Sequence, residues 1–432
     1  MSLSARDQAC LWHPFTQAKI EGLPIGIVRA KGCTLFTEDG REIIDAVSSW
    51  WVNIHGHSHP YIAERIAKQA ATLEHVIFAG FTHAPAVELA EQLLRYLPSN
   101  QKRIFYSDNG STAVETALKM AMQYLHQSGQ SRQKVISFHG GYHGDTFGAM
   151  SANAPTSFYK PFAPYLFQVQ RIAPPQSQDD AVIAEFEAML GMGDVGIFIF
   201  EPIVQAVAGM RIHSPAGLNR MLELCRKHGV VTIADEVFTG FGRTGRFFAC
   251  DYLEQEPDIV CISKGITGGF LPLGVTSSTQ AIFDAFYSDD RGKMFFHGHS
   301  YTANPIACSA ALASLELLQK PEASKGLELI NECHRAFLVN LKSHSLVKGA
   351  AVVGTILRFE IESGADSGYL SSLRDRLYAG FLKRGVLLRP LGNIIYVLPP
   401  YCVTKEELLK VYSAIEETLE ELAKATEGAH EA

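Results

Sequence analysis

No apolar run in the 432-residue sequence reaches the roughly 20 residues that cross a bilayer. The opening residues Met1 to Asp7 hold no apolar core of signal-peptide length. Neither a membrane nor export is therefore expected. Basic clusters are equally absent: 38 Lys and Arg stand against 45 Asp and Glu, a formal net charge of −7, so nucleic acid is not expected as a partner. The eight cysteines, at 10, 33, 225, 250, 261, 308, 333 and 402, form no CxxC pair. That spacing suits reduced thiols, mostly buried, in a cytoplasmic protein. The densest histidine cluster, His55-Gly56-His57-Ser58-His59, lacks the carboxylate or thiolate partners and the helical spacing of zinc ligands. No metal is expected.

What is present is ordinary in bulk and specific in detail. A length of 432 residues with 47% hydrophobic content implies about two or three compact domains. Strand-like and helix-like segments alternate through the middle. Lys134–Phe138, Val195–Phe200, Val230–Glu236 and Ile259–Ile262 are short, apolar and rich in β-branched or aromatic residues. A helix with readable ends lies among them: Ser214 as N-cap, Pro215 in the first turn, Gly229 as the stop, and Leu218, Met221, Leu222 and Cys225 on one face. This pattern predicts an α/β fold with a doubly wound, mainly parallel sheet and helices on both faces. Residues 32–45 look like two strands around the Asp39-Gly40 turn, and long amphipathic helices flank short strands such as Ile356–Phe359 after Pro321. The expected organisation is a large domain over 61–320 and a smaller α+β domain built from 1–60 and 321–432. A polar tail is expected after Ala423.

Lys264 and Asp235 stand at the ends of two of the apolar strands, where open α/β sheets bind ligands. A lysine that can hold an aldehyde covalently, with a buried acid that can keep a pyridine nitrogen protonated, suits pyridoxal phosphate chemistry. Three further segments carry possible parts of one site. Gly110-Ser111 precede a helix, with Thr112 and Glu115 expected as a capping box, so the free N–H groups there make an anion site. Gly140-Gly141-Tyr142-His143-Gly144 places Tyr142 where a flat ring could stack. Phe238–Gly245 is a glycine loop without the Lys-Ser/Thr ending of a Walker motif. Taken singly, these segments are also a capped helix, a surface loop with an exposed tyrosine, and strand-end charges. No G-x-G-x-x-G joins a first strand to its helix, which disfavours a dinucleotide oxidoreductase.

Together the segments resemble the class III, or ω-, aminotransferases of the fold type I pyridoxal phosphate enzymes, over nearly the whole chain. His13-Pro14-Phe15-Thr16, Ser48-Ser49-Trp50-Trp51, Gly141–Met150, Glu201-Pro202-Ile203-Val204-Gln205 and Arg389-Pro390-Leu391-Gly392 are similar to the biotin-pathway branch of that class. The resemblance implies pyridoxal 5'-phosphate as cofactor and transamination of 8-amino-7-oxononanoate to 7,8-diaminononanoate. S-adenosylmethionine is the implied amino donor. It assigns the cofactor's covalent bond and the proton shuttle to Lys264, the ring nitrogen to Asp235, the ring and substrate border to Tyr142, and the phosphate to Gly110 and Ser111. Gly298, His299 and Ser300 would reach the phosphate from the neighbouring subunit of a homodimer. Arg389 would hold the substrate carboxylate, with Trp50 and Phe15 walling its aliphatic chain. Two residues depart from the family pattern: Phe15 replaces the usual tyrosine, and Ser300 a common threonine. The stretch Gln205–Gly209 lacks the glutamate of relatives that use the glutamate/2-oxoglutarate couple. Lysine as donor, or a general ω-amino acid or diamine:pyruvate aminotransferase, are the alternatives; the Trp50-Trp51 pair and Arg389 argue against the latter.

Overall fold

Seven strands form the central sheet of the computed structural model, which describes residues 2–362 and 371–430. Across the sheet the order is Gln101–Ser107, Gly274–Thr279, Ile259–Ile262, Val231–Asp235, Val195–Phe200, Lys134–Phe138 and Val169–Ile172. Of these, Gly274–Thr279 alone runs antiparallel to its neighbours; the remaining pairings are parallel. Strand residues alternate between faces, and both faces are covered. Ile197, Ile199, Val231, Ile233 and Ile259 share a core with Ala113, Val114, Ala117, Leu118 and Ala121 of the helix Gly110–Gln127. The intervening Phe198, Phe200, Ala234 and Val260 belong to a second core that includes Leu218, Met221, Leu222 and Cys225. Those four lie on the helix Pro215–His228, capped by the Ser214 side chain and stopped by Gly229 at φ 63.

One expected cap is different. The helix after Ser107 begins at Gly110, and its capping box joins Asn109 to Thr112. Glu115 stands too far along the helix to close that box. Its carboxylate instead accepts the N–H groups of Gly148 and Ala149, the free donors of the next helix, Phe147–Ala152. The polar end after Ala423, expected as a tail, continues the helix Lys405–His430.

Both ends of the chain meet in a four-stranded sheet of Ile27–Lys31, Thr34–Thr37, Glu42–Asp45 and Val386–Leu387. The hairpin turns at Gly40, with φ 85. Val386 pairs in parallel with Ile44, and Leu387 with Asp45. This register brings the segment after Asp45 beside the segment after Leu387. A three-stranded sheet, Val347–Val353, Ile356–Ile361 and Ile394–Val397, completes the C-terminal part.

Candidate active site

Because six strands of the central sheet point the same way, their carboxyl ends share one edge. A cavity of about 1040 Å³ opens there, lined by Gly110, Ser111, Tyr142, Glu201, Asp235 and Lys264, and on its rim by Phe15, Trp50 and Arg389. Lys264 follows the strand Ile259–Ile262 with a left-handed backbone, φ 49. Its Nζ lies 5.2 Å from the centre of the Trp51 ring. Loss of solvation holds its ammonium below the ordinary lysine pKa, while Asp235 and Glu201 pull the other way. Asp235 is buried, and its carboxylate is fixed at both oxygens: Oδ1 accepts from the Val237 N–H at 3.0 Å, and Oδ2 pairs with Nδ1 of His143 at 2.7 Å.

The second buried acid, Glu201, joins two loops. One oxygen accepts from the Tyr142 N–H at 3.1 Å and the other from the Ala206 N–H at 2.9 Å. Burial pushes its carboxyl up to about 7; nearby His143 opposes the rise and Asp235 adds to it. The Tyr142 hydroxyl donates to Asp145, and burial raises its pKa above the usual phenol range. At the helix N-terminus there is no room for larger residues. A Cβ on Gly110 would come within 2.6 Å of Val237, and one on Gly144, at φ +131, within 2.3 Å of the Ser111 hydroxyl. Ser111 Oγ accepts from the Asp145 N–H at 3.2 Å.

The rim is built differently. The Arg389 guanidinium lies 5.0 Å from the centre of the Trp50 ring, and Phe15 meets the same ring edge-on at 6.0 Å. Trp51 packs on Phe238 at 4.9 Å and donates its indole N–H to the Tyr396 hydroxyl. Three residues of this segment have left-handed backbones: Ser48, Ser49 and Trp51, at φ 51, 57 and 68. Each such non-glycine conformation costs on the order of 1–3 kcal/mol and persists only where its surroundings hold it. The stretch after Glu201 contributes Ala206, Val207, Ala208 and Gly209 to the lining, with no acid among them.

Of the residues singled out in the sequence, Gly298, His299 and Ser300 do not line this cavity. His299 Nδ1 lies 3.5 Å from Asp108 Oδ2, beside the helix N-terminus. In the histidine cluster His55 bonds to Ser314 and meets the His59 ring edge-on at 6.2 Å, while His57 turns to Asp45. Among the described residues no group of three His, Cys, Asp or Glu is placed to hold a metal. Sequence reasoning missed the partners of the acids. His143 adjoins Tyr142, yet nothing local marks it as the partner of Asp235, 92 positions on. Phe158, which meets Phe15 at 6.5 Å, belongs to no motif.

Pyridoxal phosphate fits these residues. The cavity offers a lysine to hold the aldehyde and a fixed buried acid for the ring nitrogen. It also offers a helix N-terminus, kept bare of side chains by glycine, for the phosphate. His143 lines the same cavity and pairs through Nδ1 with Asp235; its Nε2 is buried without a partner among the described residues. Fold and site together define a fold type I pyridoxal phosphate enzyme. The chain belongs to the class-III aminotransferase family, whose model matches residues 16–419. It is 48% identical, over 95% of its length and 99% of the relative's, to the adenosylmethionine-8-amino-7-oxononanoate aminotransferase of Synechococcus elongatus. It is 34% identical to the enzyme of the same name from Staphylococcus aureus, with 94% of each chain covered. The crystal structure of the enzyme of that name from Methanocaldococcus jannaschii superimposes with a TM-score of 0.90 at 34% identity, covering 97% of this chain and 98% of that one. An ω-transaminase from Pseudomonas jessenii, solved in complex with PMP, shares the fold at 23% identity and a TM-score of 0.91 over 98% and 99% of the two chains.

Proposed function

We propose that this protein transfers an amino group to 8-amino-7-oxononanoate, forming 7,8-diaminononanoate in biotin biosynthesis, with S-adenosylmethionine as the amino donor. One observation carries the reading: the Arg389 guanidinium stands 5.0 Å from Trp50, whose ring also meets Phe15, in the same cavity as Lys264. A fixed cation beside an aromatic wall suits a carboxylate at the end of an aliphatic chain. The acid-free stretch Ala206–Gly209 supports a donor other than glutamate.

Bound pyridoxal phosphate supplies an electron sink and carries the amino group between the two substrates. The chain's own residues do the rest. Lys264 anchors the aldehyde and, with its pKa lowered, takes and returns the proton at the substrate carbon. Asp235, locked by His143 and Val237, presents negative charge to the ring nitrogen. Gly110 and Ser111 receive the phosphate at the helix N-terminus. Tyr142 borders ring and substrate, while Arg389, Trp50 and Phe15 orient the keto acid. We also infer a homodimer in the cytoplasm, in which Gly298, His299 and Ser300 of one subunit reach the phosphate held by the other. Their place outside the cavity of their own chain supports this. The larger unit, 61–320, would carry the cofactor, and 1–60 with 321–432 would form the smaller one.

The absence of a hydroxyl at Phe15 favours one second reading, lysine as donor. The test is a donor panel with purified enzyme and 8-amino-7-oxononanoate, scored by diaminononanoate formation. Product with S-adenosylmethionine supports the assignment, and product with lysine alone transfers it to the second reading. No product with any donor, together with failure to complement a biotin auxotroph lacking this step, overturns it.

A further inference from the structure

We propose that Asp45 is a positioning residue for the substrate rim: its buried carboxylate holds the segment 48–51, left-handed at Ser48, Ser49 and Trp51, in the conformation that sets Trp50 against Arg389 and Trp51 beside Lys264. The inference rests on the reading of Trp50 and Arg389 as the keto-acid wall. It starts from strain. Ser48, Ser49 and Trp51 all have positive φ within four residues, and Ser49 combines φ 57 with ψ −91. No glycine relieves the segment, so its neighbours must hold it.

Asp45 is the main clamp. It is fully buried at the end of the strand Glu42–Asp45. Oδ1 accepts from the Val47 N–H at 3.1 Å. Oδ2 accepts from the Ser49 N–H at 2.6 Å and the Ser49 hydroxyl at 3.0 Å, and His57 Nε2 lies 2.8 Å from it. Such charge-assisted bonds are about twice as strong as neutral ones. The far side is tied as well: the Ser48 hydroxyl donates to the Leu398 carbonyl and Arg243 to the Trp51 carbonyl. Asp45 is also the register partner of Leu387, two residues before Arg389. One strand pair therefore delivers both halves of the rim. Only a carboxylate serves here, because both oxygens face N–H donors. An amide in either orientation points its own N–H at one of them, and the clamp opens.

The chain has three tryptophans, at 12, 50 and 51. In a Trp12→Phe background, emission therefore reports the segment itself. With holoenzyme, Asp45→Asn is expected to shift that emission to longer wavelength as Trp51 leaves its buried place. It should also raise the KM for 8-amino-7-oxononanoate at least about tenfold, a loss equal to one charged hydrogen bond. Cofactor content should be unchanged, because Asp235 and the helix N-terminus at Gly110, which the clamp does not touch, are expected to hold ring and phosphate. A purely structural role for Asp45 would lower the melting midpoint and leave emission and KM unmoved, and that result overturns the proposal. Should Asp45→Asn fail to fold, Ser49→Ala removes one donor from the same carboxylate. A smaller emission shift and KM rise are then expected, and neither change appearing in folded protein also overturns it. If Arg389→Leu leaves the keto-acid KM unchanged, the substrate reading has failed; the emission shift still decides the clamp.

Discussion

The two halves of the cavity are held by different physics. At the sheet edge, Asp235 and Lys264 follow regular parallel strands whose residues are buried on both faces. Asp235 is set by its hydrogen-bond ladder and the packed helical layers, while Lys264, two residues beyond its strand, has a left-handed backbone at φ 49. At the rim, Phe15, Trp50 and Arg389 come from irregular segments at opposite ends of the chain. There the backbone is left-handed at Phe15, Ser48, Ser49 and Trp51, and single side chains hold it in place. Under the proposed function, the transamination chemistry falls to the half set by the sheet, and selection of the keto acid to the half whose backbone is held by a few polar clamps.

The sharpest way to break this comparison is at Lys264. Lys264→Ala should keep the fold, since the residue follows a strand and lines the cavity rather than filling the core. Turnover should fall a hundred- to ten-thousand-fold from proton transfer alone, and further from the lost covalent anchor. Steady-state rates together with circular dichroism check both parts. Near-native turnover would remove the basis for the site. On the rim the effect should be smaller and confined to substrate. Arg389→Leu is expected to weaken keto-acid binding by about 1.5–3 kcal/mol, visible in the apparent affinity, while the cofactor spectrum is unchanged. A changed spectrum would mean that the two halves are not separable.

The same division decides what could be seen in the sequence. The sheet was legible because its signals are local: apolar runs of strand length, the Ser214-Pro215 helix start and the Gly229 stop all act within a few residues. The strand-end positions of Asp235 and Lys264 followed from that pattern. Long-range polar partners were not legible. Glu115 was misassigned because Thr112 three residues before it matches a capping box, whereas the true cap, Asn109, was adjacent and satisfied first. His143, Glu201 and Asp45 act through contacts that no spacing rule encodes. Phe15, Trp50 and Arg389 came only from family resemblance, since irregular backbone leaves no period to read.

A finer test uses two neighbouring acids. Asp235 faces the cavity, whereas Glu236 is wholly buried, accepting from the Thr239 hydroxyl and from the Cys250 N–H at 2.6 Å. Burial pushes the Glu236 carboxyl up to about 7 from an ordinary 4.5. Between those values the folded state binds a proton that the unfolded state releases. Stability from this group is therefore full at low pH and lost as pH rises through the window, at up to about 1.4 kcal/mol per pH unit. Glu236→Gln should remove that slope, leaving the variant relatively more stable at pH 7 than at pH 5. Denaturant midpoints of both proteins at pH 5, 6 and 7 check this; Glu201 titrates alike in both and cancels. Parallel curves would show that Glu236 ionises normally.

The smallest expected effect falls on the rim, at Phe15, where the family resemblance leads to an expectation of tyrosine. The ring is 46% exposed, meets Trp50 at 6.0 Å and Phe158 at 6.5 Å, and sits on a left-handed backbone at φ 51. Its position is therefore set by aromatic packing, which phenylalanine and tyrosine supply equally. A flat face able to stack on adenine is retained, so S-adenosylmethionine should remain a donor. What phenylalanine lacks is one hydroxyl contact, worth about 0.5–1.5 kcal/mol, or at most roughly tenfold in affinity. Phe15→Tyr should accordingly change the KM of either substrate by less than about tenfold and leave the cofactor spectrum untouched. Loss of that contact also narrows the margin by which S-adenosylmethionine outcompetes a smaller donor such as lysine. Measuring both donors against wild type and Phe15→Tyr separates the effects. A tyrosine variant that gains far more than tenfold with S-adenosylmethionine would show that the hydroxyl organises the rim rather than adding one contact to it. A wild type that uses lysine and ignores S-adenosylmethionine would move the donor assignment while leaving Arg389, Trp50 and the keto acid in place.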